Sequence, residues 1–109
     1  MSPLDPLRWH FYIFLALAHL VAGRHEATPT LAGRALDEQP RSGTSMDIRA
    51  AACGHLGRIQ EGREWVRRLR ELRPGWNIAA FKQFRGRLAS PEVHAVFVEG
   101  FRKAGLPEV

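Results

Sequence analysis

Residues 57–74 read GRIQEGREWVRRLRELRP, and this stretch decides the fold. Between a glycine and a proline lies an amphipathic helix. Its apolar members Trp65, Val66, Leu69 and Leu72 fall at i, i+1, i+4 and i+7, the spacing of one buried helical face. Glu64 stands four residues before Arg68, and Arg67 four before Glu71, so the opposite side is braced by charge pairs. The same punctuation occurs 34 residues earlier. Gly23-Arg24 precedes Gly57-Arg58 at that shift, Arg34 precedes Arg68, and Pro40 precedes Pro74. Ala16 and Ala18 likewise precede Ala50 and Ala52. A period of 34 with small residues within helices, glycine at the turn and proline at the end marks a helix–turn–helix repeat. Each unit buries its apolar face only by stacking on a neighbour.

Outward from that stretch, the chain reads as helix pairs. The first helix is expected over residues 6–22, with Asp5 as cap, Pro6 at its first position and a stop at Gly23. Thr28-Pro29 reads as a second cap and start, giving a short helix over 29–38 that Pro40 closes. Residues 41–45 (RSGTS) read as a polar link, followed by a third helix over 46–56 and a fourth over 60–72. Asn77 can cap a fifth helix bearing Ile78, Phe81, Phe84 and Leu88. Ser90-Pro91 starts a sixth, with Val93, Val96, Phe97 and Phe101 on one side and Gly105 at its end. No segment alternates with period two for long enough to form a strand.

The repeats resemble tetratricopeptide repeats. Gly23 and Gly57 match the glycine at the turn within a unit, Ala27 or Thr28 and Gly62 the small residue early in the second helix, and Pro40 and Pro74 the closing proline. Arg49, Cys53 and Pro29 depart from that pattern. A closer likeness runs through SPLDPLR (2–8), LALAH (15–19), AGRHEA (22–27), residues 55–76 and the ending EGFRKAGLPEV (99–109). These segments resemble the C-terminal tetratricopeptide tails of bacterial class III adenylate/guanylate cyclase-type proteins, tails that also follow winged-helix DNA-binding domains in bacterial regulators. The resemblance implies an all-α, six-helix solenoid fragment and a non-catalytic role in regulation or assembly. It implies a stand-alone or truncated tail of a longer regulator, with a protein or peptide partner such as a signalling protein. It carries over no catalytic residue, because no cyclase domain lies in this sequence.

At 109 residues the chain has room for one domain, divided by the repeat reading into residues 6–40, 43–74 and a terminal pair over 77–105. The net charge is +5, and all but two of the 16 cations are arginine, the exceptions being Lys82 and Lys103. Such a skew reflects a G- and C-rich genome as readily as an anionic partner. The lone Cys53 excludes an intramolecular disulfide and a multi-cysteine zinc site, and a reducing cytoplasm is the expected compartment. Residues 11–22 (FYIFLALAHLVA) are too short and too polar at His19 to span a bilayer, so a buried helix is expected rather than a membrane anchor. His10, His19, His25, His55 and His94 form no HxxxH or HExxH pair, which gives no metal expectation. No glycine-rich phosphate loop or nucleophile arrangement appears, so neither a cofactor nor an enzyme activity is expected.

Three surfaces are singled out. Repeat register puts Tyr12, His19, Arg49, Cys53 and Phe81 on a concave face lined by helices one, three and five, expected to hold an extended or helical peptide, with Arg49 meeting an acidic ligand. Phe11, Tyr12, Ile13, Phe14 and Leu15 run consecutively, more apolar bulk than one face can bury, so self-association through Phe11 and Phe14 or a partner docked there is expected. Arg63, Arg67 and Arg70 lie along one side of helix four, which makes nucleic-acid binding the alternative function.

Overall fold

The computed structural model describes residues 7–85 and 90–109. Among them are six α-helices and no strand: α1 (Leu7–Val21), α2 (Thr28–Glu38), α3 (Gly43–Leu56), α4 (Ile59–Leu72), α5 (Ile78–Arg85) and α6 (Pro91–Ala104). The expected start at Asp5 and Pro6, the side chain of Phe84, and Leu88 lie outside the described residues. Local chemistry sets most boundaries. Gly57 and Gly105 take φ of 75° and 93° beyond α3 and α6, a left-handed turn that lets Arg58 N–H reach Cys53 O at 2.9 Å and Leu106 N–H reach Phe101 O at 2.9 Å. Asn77 accepts from Ala80 N–H at 2.8 Å, and Ser90 from Val93 N–H at 3.3 Å.

Two starts differ from the sequence reading. Thr28 is not a cap: it is the first residue of α2, fully buried, and its hydroxyl donates to the Arg24 carbonyl at 3.3 Å. The preceding Ala27 is already in the helical region, so the turn feeds straight into the helix. Likewise α3 begins at Gly43, inside the expected link, because Ser42 caps it by accepting from Ser45 N–H at 3.2 Å.

Helix α3 is the centre of the fold, packed against α1, α2, α4 and α6. Its run of Ala50, Ala51, Ala52, Cys53 and Gly54 is wholly buried, and small side chains let neighbouring helices come close. The closest approach is to α6, where Gly54 and Gly100 face each other: a Cβ built on Gly54 would lie 2.0 Å from the Gly100 carbonyl oxygen. Sequence register puts helix five beside helix three, but α6 takes that place, and α5 packs on α6. The C-terminal segment fastens α5 through Ile78 N–H to Pro107 O at 2.9 Å and Ala79 N–H to Glu108 O at 3.0 Å. Phe81, Phe97 and Phe101 fill the seam between α5 and α6, with ring centroids 5.0–5.8 Å apart. A buried ion pair ties α3 to the end of α4: Asp47, 1% exposed, accepts from Arg73 at 3.1 Å. The radius of gyration, 13.0 Å, is that of one compact unit of this length.

Candidate functional site

Helix α1 divides its apolar residues between two sides. Ala16 and Leu20 are fully buried, and Ile13 and Leu17 pack partly against the core. On the opposite side Phe14 is 72% exposed, Phe11 48% and Val21 38%, with Ala18 exposed between them. These four fall at i, i+3, i+7 and i+10, one continuous outer stripe. Besides Val109 at the C-terminus, they include every large hydrophobic exposed among the described residues. Charge is confined to the edges of the stripe. Arg8 bonds Glu38 at 3.1 Å, and Arg24 donates to His19 Nδ1 at 3.0 Å. The guanidinium groups of Arg8 and Arg34 lie over the Tyr12 ring, 5.7 and 5.8 Å from its centroid.

The five residues assigned to a concave peptide face are not brought together. Tyr12 lies toward α2, and His19 is engaged with Arg24 at the end of α1. Arg49 points between α2 and α4: it stacks over Trp65 at 4.7 Å, approaches Glu61 at 3.5 Å and rests against Gly33. Cys53 is fully buried, and its burial together with the Glu61 charge pushes its thiol up to about 11. Phe81, 1% exposed, belongs to the aromatic seam. The physical reason is α6, which covers the α3 surface that register would leave as a groove; His55 Nε2 and the Val96 carbonyl oxygen, 2.8 Å apart, add a polar contact there.

The arginines of α4 are gathered. Arg63, Arg67 and Arg70 rim one concavity of about 470 Å³ whose floor is Val66, Ala104 and Gly105. Arg67 is neutralised by Glu64, at 2.5 Å, and by Glu71, and it holds the Glu64 carboxyl down at about 2. Arg63 and Arg70 make no hydrogen bond or ion pair among the described residues.

Sequence reasoning missed a histidine pair. His25, from the α1–α2 turn, stacks on His55 of α3 with centroids 4.4 Å apart and planes 7° from parallel. Burial, then the His55 charge, pushes His25 below its ordinary 6.5. No spacing in the chain announces this contact. Among the described residues no three His, Cys, Asp or Glu side chains are grouped to hold a metal ion, and no helix is long and apolar enough to cross a membrane.

The fold and these surfaces define an all-α helical protein with an apolar outer helix. No family model, curated protein or solved structure matches the chain.

Proposed function

We propose that this chain is a non-catalytic protein–protein interaction module, a tetratricopeptide-like tail of a bacterial signalling regulator that works in the cytoplasm. The observation that carries the reading is the outer stripe of α1, above all Phe14 at 72% exposure. A solvated protein gains nothing by holding two phenylalanines in water on one helical face, whereas a partner that covers them gains their burial. The sequence resemblance supports the signalling context. The test is the elution size of the tagged chain in a clarified extract of its host. The native sequence is expected to elute well above its 12.3 kDa monomer, and Phe14→Glu to return it there. A native chain that elutes as a monomer there and is also monomeric at 1 mM when purified would overturn the reading.

One observation favours a second reading, nucleic-acid binding. Arg63 and Arg70 rim one concavity, which Glu71 also lines, and make no ion pair among the described residues, and guanidinium groups suit phosphate oxygens. A labelled 20-nucleotide DNA should then bind with an affinity that falls steeply between 50 and 200 mM salt, by a slope that Arg63→Glu/Arg70→Glu reduces. Absent or salt-insensitive binding discards it.

A further inference from the structure

The outer stripe of α1 is self-complementary. Phe11, Phe14, Ala18 and Val21 are separated by three, four and three residues, the spacing of a two-helix seam, and this sequence of intervals reads the same in both directions. Its midpoint is the level of Ala16, whose own side chain faces the core. Phe14 and Ala18 lie two residues either side of that level, Phe11 and Val21 five. We propose that the occupant of this face is a second copy of the chain, with the two α1 helices antiparallel across a twofold axis. In that arrangement Phe14 meets Ala18 of the partner subunit and Phe11 meets Val21 of the partner subunit, a larger side chain against a smaller one at every crossing. A parallel pair would set Phe14 against the partner's Phe14 and leave Ala18 facing the partner's Ala18, a clash followed by a gap. An isologous contact of this kind closes on itself, so it produces a dimer and not a fibre.

Area refines the arrangement. The exposed parts of the four side chains amount to roughly 300 Å² per chain, taking phenylalanine at about 200 Å². The pair buries about 600 Å² from them, short of the ~1,200 Å² of a durable complex, so the dimer is weak and reversible.

The inference rests on the interaction-module reading and is tested apart from it, by sedimentation equilibrium of the purified full chain from 10 µM to 1 mM. Phe14→Ala should weaken dimerisation about tenfold or more, since it removes a central aromatic. Ala18→Phe should also weaken it, although it makes the face more apolar, because it collides with the partner's Phe14. The exchange variant Phe14→Ala/Ala18→Phe restores large against small, and its dissociation constant should return to within about threefold of the native value. Both positions are exposed, and circular dichroism on the same samples checks the fold; Ala18→Leu replaces Ala18→Phe if helicity falls. A native chain that is monomeric at 1 mM overturns the dimer, as does an Ala18→Phe chain that associates more strongly without rescue by the exchange. A monomeric purified chain that still elutes as a larger species in extract overturns the dimer alone and leaves a different protein as the occupant.

Discussion

Replacing Gly100 by alanine should unfold this protein more than any other single-methyl change in its helices except the reciprocal Gly54→Ala. The new Cβ on Gly100 would lie 2.4 Å from the Ala51 carbonyl oxygen and 2.8 Å from Ala51 Cα, where ordinary contact begins near 3.4 Å. All of the opposing atoms are backbone, so no rotamer change relieves the collision. Helix α6 must withdraw by about 1 Å, which loosens Phe97, Phe101 and Ala104 from α3 at the same time. Overpacking of this kind costs roughly 1–3 kcal/mol, and the withdrawal adds lost contacts, while alanine returns up to about 1 kcal/mol of helix propensity. The net expectation is a loss of about 2–3 kcal/mol, or a melting temperature lower by about 10 °C. Gly33→Ala provides the contrast. Its Cβ would meet only the flexible Nη1 end of Arg49, at 2.8 Å, so propensity outweighs the shift asked of that side chain and the change should stabilise by up to about 1 kcal/mol. Urea unfolding followed by far-ultraviolet circular dichroism measures both. A Gly100→Ala protein as stable as Gly33→Ala would refute the close α3–α6 approach and the central place of α3.

Asp47→Ala should destabilise by about 2 kcal/mol, less than the 3–5 of a fully enclosed pair, because Arg73 keeps 26% of its side chain in water; a urea midpoint unchanged by the substitution would remove that ion pair from the account. His25 is pushed below 6.5 by burial and His55, with Lys103 adding to the effect and Glu99 opposing it, so the fold favours its neutral form. Its contribution is complete above pH 6.5 and is lost as the pH falls through the lower folded value. The urea midpoint should therefore drop between pH 7.5 and 5.5 and drop less in His25→Gln; equal slopes would contradict this. Cys53, fully buried with its thiol pushed up to about 11, should resist a disulfide reagent at pH 8 in the native chain and react at once in 6 M urea, and fast native labelling would place the thiol elsewhere.

Much of the helical plan was legible because it rests on local chemistry. The glycine after α3, the Ser90 and Asn77 caps and the apolar stripe of α4 each act over fewer than two turns, and the structure has them where residue type suggests. The start of α3 was obscured because Gly43 and Thr44 read as link residues, while Ser42 closes on Ser45 to begin the helix. The seating of α6 depends on Gly54 meeting Gly100, a contact between distant residues that neither local sequence contains. For the same reason the direction of Arg49 was misjudged: repeat register points it into a groove, and Trp65 and Glu61 draw it to the other side of α3. The excess of apolar bulk on α1 was evident from five consecutive large residues, but only packing decides that Phe11 and Phe14 stay outside while Ile13 and Leu17 turn toward the core.

In the working state of this protein the outer stripe of α1 should be covered, and a photo-crosslinking phenylalanine analogue placed at position 14, with a control at exposed Gln39, reads that cover in living cells. A discrete protein adduct is expected from position 14, seen as a single shifted band, and none from position 39. Equal adduct patterns from the two positions, or no adduct from position 14, would contradict it.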